Sequence, residues 1–251
     1  MIVVDSHSHL GSCTVFDICA TEEQVLRTMD DNGIDVALVQ PYPGAPDAIA
    51  VHNEIAELAK KHPGRFFGIV SVNPRFLGKD KYFAEVERCI RDLGFVGVKL
   101  HTIGHAISPL SEIGGWVFEA ANKFGVPINV HTGTGLPFAL ASACIPRAMQ
   151  YPDLPIVIIH AGWVIVSPDA YATAKACPNI YLETSWSIGA EIQWWVNELG
   201  AHRIMMGADL PNNRAAELAK YRALDLTDKQ FEQVLGGTAI DVYRLKIPKK
   251  Y

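Results

Sequence analysis

The sequence predicts an α/β chain folded as a single (β/α)8 barrel with a helical extension at its C-terminal end. Three observations lead there. Eight short β-branched runs are nearly continuous in apolar residues, as strands buried on both faces are. Longer amphipathic stretches lie between them, and the runs recur at roughly 25–35 residues, the length of a βα unit. Eight such units suit 251 residues that are 49% hydrophobic.

In chain order the strand-like runs are 1–7 ("MIVVDSH"), 35–41, 66–72, 95–101, 126–131, 155–160, 179–183 and 203–209. The stretch "TEEQVLRTMDDNG" predicts a helix opened by a capping box, Thr21 with Gln24, and stopped at Gly33. "DAIAVHNEIAELAKKHPG" has apolar residues at helical spacing and ends at Pro63-Gly64. "SEIGGWVFEAANKFG" starts from Ser111 as N-cap and ends at Gly125. A last helical region covers about 227–245. A doubly wound open sheet would carry a Gly-rich phosphate loop after its first strand, but "HLGSC" is neither GxGxxG nor a Walker motif. No linker or composition shift divides the chain, so one domain, 1–251, is expected.

The net charge of −5 is spread without a basic run, which argues against a nucleic-acid or anionic-membrane partner. No apolar run is long enough to span a bilayer, and the N-terminus lacks the layout of a signal peptide. Five cysteines, without CxxC spacing, read as reduced and mostly buried thiols. A cytoplasmic enzyme acting on a small molecule is expected, with a homodimer as the default assembly.

Catalytic residue types gather where the apolar runs stop, which is the active end of such a barrel. His7 and His9 end the first run, Lys99 and His101 the fourth, His131 the fifth, His160 the sixth and Asp209 the eighth. Burying imidazole and carboxylate is costly unless they are paired or ligating, so this recurrence is hard to read as core packing. Strand alternation puts His7 and His9 on one side, about 6–7 Å apart. With His131 and Asp209 they make a nitrogen and oxygen set suited to one divalent ion, Zn²⁺ first, with Mn²⁺ and Fe²⁺ compatible. Such an ion can lower the pKa of a bound water.

The motifs "DSHSHL", "GVKLH", "VHTG", "IIHAG" and "MGADLP", in this order, resemble the amidohydrolase superfamily, in particular the amidohydrolase-2 group of TIM-barrel hydrolases and decarboxylases. The resemblance spans residues 2–209. It implies metal ligands His7, His9, His131 and Asp209 and a catalytic His160, with Asp209 doubling as a proton acceptor. Two departures are Trp163, where the family often has a second glycine, and "GADLP" for "GSDFP". In binuclear relatives a strand-four lysine is carboxylated and bridges two metals. Here Lys99 reads as an ammonium for a substrate carboxylate, ahead of a bridge or a structural ion pair.

His101, Trp163, Trp186 and Arg75 are further candidate substrate contacts. Asp5 is expected to brace a neighbouring strand end, and Glu183 to hold a pocket or supporting role. Loops 11–20, 73–80, 102–110, 132–140 and 161–168 should shape the pocket. The expected activity is hydrolysis of a lactone, ester, amide or C–C bond by a metal-activated water. The alternative is non-oxidative decarboxylation of a small unsaturated or aromatic acid. A barrel that binds without catalysis is a third reading.

Overall fold

The structure, a computed structural model, describes residues 1–248; the last three residues of the expected 1–251 domain lie outside the described residues. Its strands are β1 (Val4–Cys13), β2 (Ile18–Ala20), β3 (Val36–Pro41), β4 (Phe66–Val70), β5 (Gly97–Leu100), β6 (Ile128–His131), β7 (Ile156–Ile159), β8 (Ile180–Glu183) and β9 (Ile204–Met205). They form one sheet in the order β2-β1-β3-β4-β5-β6-β7-β8-β9. From β1 through β3 to β9 every neighbour is parallel. The sheet curls back on itself: Ser8 bridges Asp209 in parallel, and the Asp209 N–H donates to His7 O at 2.7 Å. Ser6 N–H also donates to Met206 O at 3.0 Å, which completes the seam.

The eight predicted runs are the eight parallel strands. The first differs from expectation. It does not stop at the histidines but continues to Cys13, where it pairs antiparallel with β2, an element the sequence reading did not foresee. Its register against β3 also shifts, since Asp5 faces Ala37 while Ser8 faces Val39, which leaves one extra residue in β1. Such a bulge re-aims side chains, and it lies under His7.

The helices are α1 (Glu22–Asn32), α2 (Ala48–Lys61), α3 (Pro74–Leu77), α4 (Lys79–Arg91), α5 (Glu112–Phe124), α6 (Ile145–Gln150), α7 (Ser167–Ala176), α8 (Gly189–Leu199), α9 (Arg214–Arg222), α10 (Asp228–Glu232) and α11 (Thr238–Tyr243), with a π-helical turn at Gln233–Gly237 between the last two. The expected caps form. Thr21 and Gln24 close a capping box, Gly33 ends α1 in the left-handed region, and Ser111 and Gly125 bracket α5.

Alternation along the strands separates two cores. Ala37 and Val39 of β3 pack outward against the helices, whereas Val36 and Leu38 point inside the barrel. The inner cluster also holds Val4, Ile69, Val157, Ile159 and Met205, and Val242, Tyr243 and Leu245 of the C-terminal extension pack against it. Tyr243 donates its hydroxyl hydrogen to Asn129 Oδ1 at 2.5 Å inside the barrel. The extension thus closes the N-terminal end of the barrel, which leaves the C-terminal end for polar groups. Four of the five cysteines are buried, Cys19 being the exposed one, and none is paired. Among the described residues no helix is long and apolar enough to cross a membrane.

Candidate active site

Five histidines and one aspartate converge at the C-terminal mouth, around a cavity of about 680 Å³. The imidazole nitrogens of His7 and His160 and a carboxylate oxygen of Asp209 lie within 4.8 Å of one another. His9 Nε2 is 3.2 Å from Asp209 Oδ1, and His7 Nε2 is 3.7 Å from the same oxygen. His131 stands beside this group, its ring edge-on to His160 at a 4.8 Å centroid distance and stacked on His101 at 4.0 Å. The sequence reading gave His160 a catalytic role and His131 a ligand role; the geometry brings His160 at least as near to the other ligand atoms.

Hydrogen bonds fix which ring nitrogens face the cavity. His9 Nδ1 donates to Pro41 O at 3.2 Å, and its ring is stacked on Tyr42. That bond leaves the Nε2 lone pair facing both the Gln40 amide nitrogen, 3.4 Å away, and the Asp209 carboxylate. Two electron-rich atoms face one another there at 3.2 Å, an arrangement that a cation between them would relieve. His160 Nδ1 is 2.8 Å from Ser185 Oγ, and that hydroxyl donates to Glu183 Oε2 at 2.8 Å. Ser185 has one proton to give, so His160 Nδ1–H is the donor to Ser185 and Nε2 is left bare. In His101 the reverse holds. Its Nδ1 accepts from Gly104 N–H at 2.9 Å, so Nε2 carries the proton, and the ring lines the cavity.

Charge follows burial. Desolvation lowers His7, His101, His131 and His160 well below the usual imidazole value, so the rings are neutral, the form that binds metals. The Asp209 carboxyl, although burial pushes it up, is held well below the usual carboxylate value in the company of the His7, His9 and His160 rings, so it is ionised. Neutral nitrogens with one ionised carboxylate are a donor set that fits a divalent ion.

The remaining candidates separate. Trp163 and Trp186 form the walls, 6.4 Å apart between ring centroids, and the Trp186 indole N–H donates to Asp209 Oδ2 at 2.9 Å. Lys99 does not reach the cavity. It is buried beneath it, Nζ at 3.3 Å from His7 Nε2, and burial lowers its ammonium to about 8. Its ammonium meets the site through a ring nitrogen of His7 and is not part of the cavity lining, where a contact with a substrate carboxylate was expected. Arg75 is also corrected. It is exposed on α3, where its guanidinium donates to Ala106 O at 3.3 Å, and no residue of loop 73–80 lines the cavity.

The other four expected loops do contribute: Val15 and Phe16, Ile103, Thr134 and Trp163. Asp5 braces the seam as expected, its Oδ1 accepting from Ala208 N–H at 2.9 Å and from His7 N–H at 3.3 Å. Sequence reasoning missed its partner. Arg214 of α9 is fully buried and donates to Asp5 Oδ2 at 2.9 Å. It also missed Tyr42 and Ser185, although Tyr42 directly follows the second apolar run, as catalytic types do elsewhere.

Known proteins place these motifs. A sequence relative, the gamma-resorcylate decarboxylase of Polaromonas sp. (strain JS666 / ATCC BAA-500), is 22% identical over 290 residues, 89% of this chain and 87% of that protein. Among solved structures, a dihydroxybenzoic acid decarboxylase from Polaromonas sp. JS666, with bound manganese and the inhibitor 2-nitroresorcinol, superposes with a TM-score of 0.76 at 15% identity, over 98% of both chains. A 4-oxalomesaconate hydratase from Rhodopseudomonas palustris superposes with a TM-score of 0.70 at 16% identity, over 97% of this chain and 96% of that one. The amidohydrolase family model matches residues 16–245, a span that takes in His131, His160 and Asp209 and begins just after the His7 and His9 pair. With that match over most of its length, and with histidines and an aspartate at the ends of its barrel strands, the chain belongs to the amidohydrolase family of enzymes.

Proposed function

We propose that the protein is a metal-dependent decarboxylase that removes CO₂, without an oxidant, from a small planar hydroxy-aromatic acid. This moves the sequence's alternative reading ahead of hydrolysis. The observation that carries it is the shape and chemistry of the cavity: aromatic walls from Trp163, Trp186, Tyr42 and Phe16 stand over a floor of neutral imidazoles and one carboxylate. A flat ring fills such a slot, and its carboxylate end meets the floor. The decarboxylase activity of the Polaromonas sequence relative supports the same choice.

His7, His9 and Asp209 would hold the ion, with His160 and His131 as the next nitrogens. The manganese in the Polaromonas decarboxylase structure supports Mn²⁺ beside Zn²⁺. When bound, the ion would neutralise and orient the substrate's carboxylate and an adjacent hydroxyl oxygen. The chain's own residues do the rest. Trp163 and Trp186 hold the ring and exclude water, and His101 Nε2–H offers a hydrogen bond to a substrate oxygen. Asp209 takes up one proton from solvent in each turnover and passes it to the ring carbon that bears the carboxylate. The bond to the carboxyl carbon then breaks, its electron pair returns to the ring, and CO₂ leaves. Asp209 ends ionised, the state that its surroundings favour, with Oδ2 held by the Trp186 indole.

The test is to reconstitute metal-free protein with Mn²⁺ or Zn²⁺ and supply 2,6-dihydroxybenzoate and related hydroxybenzoates, alongside a panel of lactones. One CO₂ per aromatic product, dependent on metal, is expected. Acid release from a lactone with no CO₂ from any aromatic acid would overturn the proposal in favour of hydrolysis.

A further inference from the structure

We infer that Glu183 is a positioning residue of the metal centre, a single buried carboxylate that sets the orientation of both His7 and His160. The inference rests on the reading that these histidines and Asp209 hold a divalent ion.

Glu183 ends β8, is fully buried and does not line the cavity, so it reaches the chemistry only through other groups. Its Oε2 accepts from the His160 backbone N–H at 3.1 Å and from the Ser185 hydroxyl at 2.8 Å. Its Oε1 accepts from Ser185 N–H at 2.7 Å. Through Ser185 Oγ it fixes the His160 tautomer with Nε2 bare. On its other side Oε2 lies 3.5 Å from His7 Nδ1, an atom that is buried and makes no hydrogen bond in its present orientation. A small turn of the ring closes that contact and makes Nδ1–H the donor, which leaves the lone pair on His7 Nε2, the atom that Lys99 Nζ approaches at 3.3 Å and that the ion would take.

The chain makes room for this carboxylate. A Cβ on Gly207 would stand 2.3 Å from Glu183 Oε1, so only glycine admits it there. Among the described residues His7 is the one basic side chain in ion-pair range of Glu183. The carboxylate is thus spent on ring orientation rather than on a lysine or arginine. Outer partners of this kind orient metal-binding histidines and raise their basicity.

Glu183→Gln tests both arms. One amide oxygen can still accept from Ser185 N–H, while the NH₂ then faces His160 N–H, the Ser185 hydroxyl and His7 Nδ1, where an acceptor is needed. Ser185→Ala breaks only the His160 arm, and Ser185→Thr retains the hydroxyl. Mn²⁺ is titrated into each metal-free protein, with free Mn²⁺ followed by its EPR signal and thermal melting as the control for folding. The Kd is expected to rise about 10–100-fold in Glu183→Gln and by about 10-fold in Ser185→Ala, with Ser185→Thr restoring it. If Glu183→Gln fails to fold, the two Ser185 variants decide. Ser185→Ala binding Mn²⁺ as tightly as the unaltered protein would overturn the inference, as would a Glu183→Gln variant that melts lower but keeps its Kd. If the unaltered protein takes up no Mn²⁺, the metal reading fails with it, an outcome distinct from equal binding by all four proteins.

Discussion

Arg214→Ala should remove more stability than any surface change in this chain, and the amount follows from the groups it leaves behind. The Arg214 guanidinium has no solvent exposure. Its Nε donates to Asp5 Oδ2 at 2.9 Å, Nη2 to Ser8 Oγ at 2.9 Å, and Nη1 to Val25 O at 2.6 Å and Thr28 Oγ1 at 2.7 Å. Truncation leaves Asp5 charged and buried without its cation, a loss of about 3–5 kcal/mol where one partner of a buried pair has been removed. For a chain of this size each kcal/mol moves the melting temperature by about 2–4 °C, so a fall of roughly 6–20 °C is expected. Scanning calorimetry on metal-free protein measures it. The double variant Asp5→Asn/Arg214→Met removes both charges and should recover a good part of the loss, because apolar replacement of a whole buried pair is often neutral. An Arg214→Ala protein melting within about 2 °C of the original would refute the reasoning, and would mean that Asp5 takes up a proton at little cost instead of needing the arginine.

Three further outcomes follow from the site. His7→Ala and Asp209→Asn should each abolish tight Mn²⁺ or Zn²⁺ binding, read by elemental analysis after dialysis; retained stoichiometric metal would remove these residues from the ligand set. Trp186→Phe keeps the wall but loses the indole N–H to Asp209 Oδ2, so kcat should fall about 10-fold while KM changes little; a rise in KM alone would make the tryptophan only a wall. Metal-free protein should lose stability as pH falls from about 6.5 toward 4.5. His7, His101, His105, His131 and His160 all have lowered values, His105 to about 3, so the unfolded chain binds protons that the folded one refuses. Glu183 and Glu217, raised to about 7, and Asp5, raised by its burial, oppose this by favouring the folded state at lower pH, but they are three groups against five. A net loss of at most about 3 kcal/mol per pH unit results, and a flat profile in urea titrations would contradict it.

What was readable in the sequence was what strand periodicity carries. An apolar run that ends in His or Asp has a polar residue at a place where the fold predicts a mouth, so His7, His9, His101, His131, His160 and Asp209 could be picked out by position. Alternation also put Lys99 in the barrel, but depth is not periodic: the same face holds His7 at the cavity and Lys99 beneath it. Arg75 lay after a strand like the others, yet its loop turns into α3 and directs it to solvent. The bulge in β1 and the antiparallel β2 were illegible because both depend on pairing with residues elsewhere. Arg214 shows the limit most clearly. On α9 it reads as one more polar residue of a surface helix, and its meaning comes from Asp5, 209 positions away.

Backbone geometry ties the supporting residues together and yields one last prediction. Three residues just past the strands carry functional side chains in the left-handed region: His160 (φ 67°), Trp186 (φ 67°) and Asp209 (φ 64°). That conformation costs each about 1–2 kcal/mol. Each has its own N–H held: His160 by Glu183 Oε2, Asp209 by His7 O, and Trp186 by Glu217 Oε1 at 3.0 Å. The Glu217 carboxylate is itself fixed by Asn213 Nδ2 at 2.9 Å and by Lys220. Glu217 touches neither ligand group nor cavity, so its effect on catalysis must pass through the Trp186 backbone. Glu217→Ala removes the acceptor and lets Trp186 relax toward negative φ, which takes its indole off Asp209. Release of about 1–2 kcal/mol of strain lowers the share of the ordered conformer about 5–30-fold, and kcat should fall in proportion. Mn²⁺ affinity, set by His7, His9 and Asp209 with their own supports, should change far less than in Glu183→Gln. Equal loss of metal and activity in Glu217→Ala would mean that the α9 end of the barrel collapses as a whole, and a rate unchanged within about twofold would mean that Trp186 is held by its packing alone.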